Sequence, residues 1–371
     1  MKDVMGIINN TSEKKYLKEI TKERSMASVP FGGRYRMIDF MLSSMVNSGV
    51  RNVGILVQSQ YRSLMDHVRS GKEWDLARKR DGLFILPPFF ENSQLNILKG
   101  DMELFSGNLD YLHQSNQNYV IVSGVNYVCN LDFRPIIDYH KKTRADITVI
   151  YKEQACSDKN NNCVGLEVDS NLHVIDMEIN PKSNNSGKIS MEIYIMKKEL
   201  LIHLIQKCIA HGEYDFTRDC ILRNIHKLNV CGYPYEGYVA NIDSIESYFK
   251  YSMDLLKPEI WQELFFEPGL IHTKVKDEAP AKYMKHSEVK NTLIANGCVI
   301  EGKVENSILF RGVKIHKGAH VKNSIVMQNS VIEGNASIEN CILDKEARIT
   351  KGKKLVGLQD YPIVVEKRTA I

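Results

Sequence analysis

No apolar run in the sequence is long enough to cross a membrane. Stretches such as Tyr119–Val122 and Leu200–Ile205 fall far short of the roughly 18 residues a spanning helix needs. The chain also lacks a dominant charge. Its 49 basic and 45 acidic residues leave a net +4, too balanced for a protein built to grip nucleic acid. It lacks paired cysteine motifs as well. Eight cysteines are scattered without one CxxC, which argues against a zinc ribbon or a thioredoxin-like centre. The closest two, Cys156 and Cys163, flank an asparagine-rich loop, and the thiols read as reduced, several of them in the core. Compositional bias is missing too: 43% hydrophobic and 25% charged residues exclude disordered and collagen-like chains. Met1–Asn10 shows no charged segment leading into a long apolar one, so we expect no secretion signal and a cytoplasmic protein.

What is present is alternation. Val4–Ile8 is a short apolar run that reads as a buried strand. Asp39–Ser48 reads as a helix closed by Gly49, and Tyr61–Ser70 as one closed by Gly71. Asn52–Val57, Tyr119–Ser123 and Asp146–Tyr151 read as strands, and Phe133–Arg144 as a helix. This order predicts a parallel, layered α/β sheet with ligands at the carboxyl ends of its strands. Val164–Val168, Val174–Glu178 and Ile189–Ile195 are further strand-like segments, followed by helices near Lys197–His211 and Phe216–His226. Residues 257–288 are punctuated by Pro258, Pro268, Gly269 and Pro280 and read as a linker. The expected organisation is therefore 1–256, a linker over 257–288, and 289–371.

The last segment repeats itself. Apolar-x-Asn-small-apolar occurs at Val289–Leu293, Val304–Ile308, Val321–Ile325 and Ile338–Ile342, the last three 17 residues apart. A helix would smear such a period around its cylinder. A coil of three short flat faces turns one aliphatic residue inward per face, and stacked coils bury a continuous core. The expectation is a left-handed parallel β-helix of about four coils that serves assembly, because solenoid faces offer long interfaces.

Val29–Phe40 (VPFGGRYRMIDF) closely resembles the sugar-nucleotide pyrophosphorylases, specifically the ADP-glucose pyrophosphorylase (glucose-1-phosphate adenylyltransferase) family. Leu42-Ser43-Ser44, Trp74-Asp75-Leu76, Leu86-Pro87-Pro88, Ser190-Met191 and the β-helix fit the same resemblance, which covers essentially the whole chain. It implies a Rossmann-like nucleotidyltransferase domain that joins ATP and glucose 1-phosphate using Mg²⁺, followed by a left-handed β-helix for tetramer assembly and regulation. In-line displacement at phosphorus needs carboxylate-held metal and cations on the phosphates, and here the family's motifs are erased. The glycine-rich loop after the first strand is Asn9-Asn10-Thr11-Ser12-Glu13-Lys14-Lys15-Tyr16, without glycine or arginine; Lys14 and Lys15 read as solvated charges. Met26 replaces a phosphate-binding lysine, Val125 the first metal aspartate after Ser123-Gly124, Asn241 the second, and Asn180 the sugar-phosphate lysine. Asn126 is neutral and is expected on the other side of the strand. Asp243, two residues beyond Asn241, serves as a metal ligand only through a register shift. Glu192 stands where the family has glycine beside the sugar.

The pattern resembles the GlgD-type regulatory subunits, which partner a catalytic GlgC-type chain in glycogen synthesis. The resemblance implies an inactive chain with no catalytic residue, cofactor or metal of its own, Mg²⁺ in the partner, and a heterotetramer. Asn9, Asn10, Gln58, Trp74, Ser123, Gly124, Ser190 and Glu192 are its vestigial substrate-site positions. Arg24, Arg34 and Arg36, joined by Lys367 and Arg368 if the tail folds back, are candidates for a phosphorylated effector. Three other readings stay open. One is a weakly active adenylyltransferase. Another is a sugar-phosphate sensor without an enzyme partner. The third is a β-helix acyltransferase using His316 or His320 as base.

Overall fold

The computed structural model describes residues 1–11, 17–88, 98–154, 163–181 and 187–371. Lys14, Lys15 and Cys156 lie outside them. No helix among the described residues is long and apolar enough to cross a membrane.

The chain forms two compact units that are not divided by a single cut. One comprises Met1–Glu13, Phe40–Val239 and Pro268–His272, and the other Lys14–Asp39, Ala240–Glu267 and Thr273–Ile371. The signature stretch at Val29–Arg36 falls in the same compact unit as the β-helix.

Among the described residues the first unit is built on a sheet of nine strands. In chain order its elements are β1 (Val4–Asn10), α1 (Met37–Asn47), β2 (Asn52–Val57), α2 (Arg62–Val68), β3 (Gly82–Leu86), α3 (Asp101–Gly107), α4 (Leu109–Gln114) and β4 (Tyr119–Ser123). They continue as α5 (Phe133–Thr143), β5 (Ile147–Glu153), β6 (Val164–Val168), β7 (Val174–Ile179), β8 (Lys188–Lys197), α6 (Lys198–Ala210), a π-helical turn at Phe216–Ile221 and β9 (Val230–Pro234). The path through the sheet is β7-β6-β8-β4-β1-β2-β3, with β5 beside β8 and β9 beside β5. Strands β4, β1, β2 and β3 are parallel, as the alternation predicts. Strand β8 is antiparallel to both β4 and β5, so the sheet is mixed, not parallel. Strands β6 and β7 are antiparallel as well, because they turn back through Asp169–His173, which is too short for the crossover a parallel partner requires. The helix expected over Phe216–His226 is a π-helical turn followed by a 3₁₀ turn at Leu222–Asn224.

In the second unit the expected linker contains a helix, α8 (Pro258–Phe266), which follows α7 (Ile245–Asp254). Proline at its first position fits the missing amide of a helix start, and Leu264 and Phe265 are its buried face. The remainder is a three-faced parallel β-helix. Val289, Val304, Val321, Ile338 and Leu355 align on one face. Ile308, Ile325, Ile342 and Val364 align on the next, and Ile300, Ile315, Ile332 and Ile349 on the third. The repeated asparagine has a conformational reason. Asn291, Asn306, Asn323 and Asn340 all have φ between +43° and +51°, a left-handed corner that asparagine tolerates better than other side chains. The small residue after it fits the same geometry. Ser307 Oγ accepts from the Ser324 amide at 3.1 Å, and Ser324 Oγ from the Cys341 amide at 3.2 Å, so each coil is tied to the next.

Candidate functional site

Strands β1, β2 and β4 end together, because β1 pairs in register with both neighbours. Their carboxyl ends carry Asn9, Asn10, Gln58, Ser123 and Gly124. Asn9 Nδ2 donates to Asp101 Oδ2 at 2.8 Å, and the Thr11 hydroxyl donates to Asn9 Oδ1 at 2.6 Å. Asp101 begins α3, and its other oxygen accepts from the Phe216 amide at 2.8 Å. Burial pushes its carboxyl up to about 6, against the two hydrogen bonds that favour the charged form. Sequence reasoning missed Asp101. An acid in a first helical turn is ordinary, and nothing local marks its pairing with a residue in the phosphate-loop position.

At the end of β4, Val125 is 1% exposed and presents no donor atom. Asn126, expected on the opposite face, turns toward Gly124: its Oδ1 lies 2.8 Å from where a Cβ on Gly124 would stand. The strand has ended at Ser123, so alternation no longer governs it. Glu192 approaches the same point, with its carboxylate oxygen 3.7 Å from that position. Its φ of +53° is a conformation glycine takes at no cost, which fits a glycine in the family at this place. Ser190 is buried; its Oγ accepts from the Glu192 amide at 3.1 Å and its carbonyl from the Tyr127 hydroxyl at 2.8 Å. The structure thus gathers Asn9, Ser123, Gly124, Ser190 and Glu192 with Asp101. No lysine or arginine belongs to this set, and its two ionisable groups are acids that repel phosphate.

Other expected positions fall elsewhere. Asn180 is exposed at the end of β7, with φ of +55°. It closes the β6–β7 hairpin by exchanging bonds with the Cys163 backbone at 2.9 and 3.2 Å. Trp74 is not at the carboxyl ends. It is 1% exposed and lines a cavity of about 240 Å³ with Arg51, Asn47 and His272 at the amino end of β2. Helix α2 carries the chain back to that end before Gly71 turns it. Cys163 takes part in a disulfide, contrary to the expectation of reduced thiols.

In the second unit Met26 is buried in a 3₁₀ turn, Met26–Ser28. Asn241 ends the short strand Ala240–Asn241. Asp243 is buried, and its amide donates to the Ser247 side chain at the start of α7. Val125 and Asn241, which the resemblance matches to metal aspartates, carry no carboxylate and so do not fit a magnesium ion held by paired carboxylates. Among the described residues no group of three or more His, Cys, Asp or Glu is placed to hold a metal ion. His316 is exposed and His320 lies 3.3 Å from Glu305, on the β-helix surface.

The signature stretch forms a tight hairpin, Pro30–Phe31 against Tyr35–Arg36, with Gly32 and Gly33 at φ of +58° and +82°. A Cβ on Gly32 would stand 3.0 Å from the Phe265 ring. The Arg36 amide donates to Asp39 at 3.0 Å. Arg24 departs from the effector expectation. Its guanidinium is 3% exposed and spans both oxygens of Asp344 at 2.9 Å, with a further bond to the Ile20 carbonyl at 3.0 Å. It is a structural tie and not a free anion ligand. Lys367 and Arg368 are likewise paired, with Glu23 at 2.7 Å and Glu346 at 2.8 Å. Arg34 is exposed, with its guanidinium 5.0 Å from the Tyr35 ring centre. Lys345, which sequence reasoning missed, stands in the field of Arg36, Arg24 and Lys276. Burial first, then these cations, push its amine down to about 7.

Asp101 gives a pH-dependent expectation. Its folded pKa lies above the ordinary 3.8, so between about pH 4 and 6 the native state binds more protons than the unfolded one, and stability falls as pH rises. At about 1.36 kcal/mol per pH unit the full effect is about 3 kcal/mol. Asp101→Asn should remove this slope. Urea unfolding at pH 4 and pH 7 should show the variant gaining on the wild type as pH rises; parallel curves would contradict it.

Comparison with known proteins agrees with this architecture. The nucleotidyl transferase family model matches residues 14–257, and the model for the GlmU-like C-terminal hexapeptide, a left-handed β-helix, matches 279–360. The glycogen biosynthesis protein GlgD of Bacillus subtilis (strain 168) is 42% identical over 98% of this chain and 96% of its own length. The GlgD of Geobacillus stearothermophilus is 41% identical over 86% of this chain and 82% of its own. The glucose-1-phosphate adenylyltransferase of Geobacillus stearothermophilus is 32% identical over 82% and 80%. With a nucleotidyl transferase domain followed by a hexapeptide β-helix, and with this identity over nearly its whole length, the chain belongs to the GlgD glycogen-biosynthesis family, related to the glucose-1-phosphate adenylyltransferases.

Proposed function

We propose that this chain is a non-catalytic regulatory subunit that assembles with a catalytic glucose-1-phosphate adenylyltransferase chain in a heterotetramer and modulates its synthesis of ADP-glucose. The observation that carries the reading is the end of β4. A buried aliphatic, Val125, stands at the metal position, and the Glu192 carboxylate is aimed at Gly124 beside it. Mg²⁺ and both substrates then belong to the partner's site. The test is co-expression with the catalytic chain of the same source, followed by sizing and assay. One complex with altered turnover or activation supports the reading; two separately eluting proteins would leave a free-standing sensor in its place.

Regulation in this reading uses Arg36 with Arg34 and Lys345, three cations of one unit. A phosphorylated metabolite would meet Arg36 and a lysine whose amine is pushed down to about 7 by burial first and then by neighbouring cations, and would favour that amine's charged form on binding. Coupling of this kind is worth about 1–3 kcal/mol. Arg36→Ala should therefore shift the activation midpoint of the heteromeric enzyme by roughly five- to hundredfold, with the assembly unchanged on sizing. Superimposable activation curves would remove the site.

A further inference from the structure

The cavity beside Trp74 takes no part in the site at the carboxyl ends of the strands. It lies at the amino end of β2, and every residue that lines it belongs to the first unit. Its volume of about 240 Å³ is below the roughly 300–1,000 Å³ of pockets that take drug-sized molecules, so it suits a ligand of few heavy atoms.

Its walls are held in place by backbone and side-chain bonds. Helix α2 ends at Arg69, with φ of +47° and ψ of −122°. Such a backbone persists only where its surroundings dictate it, and it clusters at ligand clamps. Gly71 follows at φ of +75°, and a Cβ there would stand 2.9 Å from Leu76 and 3.0 Å from Leu83. The amides of Trp74 and Leu76 both donate to the Gly71 carbonyl at 3.0 Å, which closes the 3₁₀ turn Lys72–Trp74. At the start of β2 the Gly82 amide donates to the Arg51 carbonyl at 2.8 Å. His272 Nε2 lies 3.1 Å from Asn47 Oδ1, and Asn47 Nδ2 donates to the Leu270 carbonyl at 2.9 Å.

Two arginines and two acids line this space. Arg78 and Asp75 satisfy each other: the guanidinium pairs with the Asp75 carboxylate, and its Nε donates to the Asp75 carbonyl at 2.7 Å. Arg51 and Glu73 are different. They carry opposite charges in one cavity, yet neither side chain has a hydrogen bond or ion pair among the described residues. Trp74 adds an indole N–H that is buried without an acceptor. A buried donor left open in this way calls for a polar partner.

We propose that the cavity binds a free α-amino acid, held by its carboxylate on Arg51 and by its ammonium on Glu73. The two open charges select this class. A simple anion such as phosphate would meet Arg51 but face Glu73 as a like charge, and a simple amine would do the reverse. A zwitterion satisfies both. A guanidinium takes a carboxylate through two parallel N–H bonds, and the ammonium donates a charge-assisted bond in return. The closed Arg78–Asp75 pair adds no net charge. Gln58 stands at the other end of β2, so the ligand does not compete for the vestigial substrate positions, and its binding does not depend on a catalytic partner.

The test uses the isolated full chain. The standard amino acids are screened by their effect on thermal unfolding, and those that raise the unfolding temperature are titrated by calorimetry. At least one is expected to raise it saturably. Its amide and its N-acetyl derivative, each lacking one of the two charges, should give no shift. Arg51→Gln and Glu73→Gln remove side-chain charges that hold nothing else, so both variants should unfold unliganded as the wild type does. Each should weaken the measured affinity by roughly ten- to hundredfold. The proposal is overturned if no amino acid shifts the unfolding temperature, or if the affinity is unchanged in either variant. Inorganic phosphate binding as tightly as the best amino acid would also overturn it, since Arg51 alone would then suffice.

Discussion

Replacing Asp344 with alanine is expected to destabilise the β-helix unit by about 3–5 kcal/mol, the range for removing one partner of a buried ion pair. Arg24 and Asp344 are each 3% exposed, and both carboxylate oxygens are engaged. The Lys345 amide also donates to Asp344 at 2.6 Å. Without the carboxylate, Arg24 stays buried and unpaired beside Lys345 and Arg36, a cation cluster with its central anion removed. The surface ties nearby, Lys22 to Glu366 and Lys367 to Glu23, are exposed pairs of small worth and do not compensate. The cost comes from stranding a charge, so the paired change Arg24→Met with Asp344→Leu should lie much closer to the wild type. Urea unfolding of the three proteins decides it: a single variant within about 1 kcal/mol of wild type would mean that Arg24 finds water or another partner.

Restoring one ligand is expected to restore no chemistry. Val125→Asp returns a carboxylate to the end of β4, but Met26, Asn180 and Asn241 still lack their cations and second carboxylate, and Glu192 adds a further negative charge. Losing one preorganised catalytic group costs about 10²–10³ in rate, and groups acting as a unit are not recovered singly. Pyrophosphate release by the Val125→Asp chain should therefore remain at background with ATP, glucose 1-phosphate and Mg²⁺. Turnover within a hundredfold of a catalytic relative would show that the remaining departures are tolerated.

The β-helix was the most legible part of the chain, because its signal is a repeat. Ile308, Ile325 and Ile342 recur at the period of one coil and stack in register. The corner asparagines betray a left-handed backbone that few residues accept. The first strands were legible for a related reason, since buried parallel strands are short apolar runs. Chain direction was not. An antiparallel β8 has the same composition as a parallel one, so nothing in its residues marks the change. Helix α8 was hidden by the prolines and glycines around it, although Pro258 suits a helix start.

Within the site, the departures at Val125, Asn180 and Asn241 are expectations read residue by residue from the resemblance, because an uncharged side chain is evident from the sequence alone. New partnerships could not be read in this way. Arg24 looks like an anion ligand until Asp344, 320 residues away, is seen to occupy it. Asp101 and Lys345 carry no motif; their altered proton affinities arise from burial and neighbours supplied by distant segments. Trp74 sits in a family motif, but the turn at Gly71 places it at the opposite end of the strands from Gln58.

The central claim is that this chain modulates a catalysis it does not perform. Its most direct test is ADP-glucose formation measured side by side for the isolated chain, a catalytic glucose-1-phosphate adenylyltransferase alone, and the two co-purified, at equal catalytic-chain concentration. The account predicts background for the isolated chain and a changed turnover or effector response for the complex. Sustained ADP-glucose synthesis by the isolated chain would contradict it.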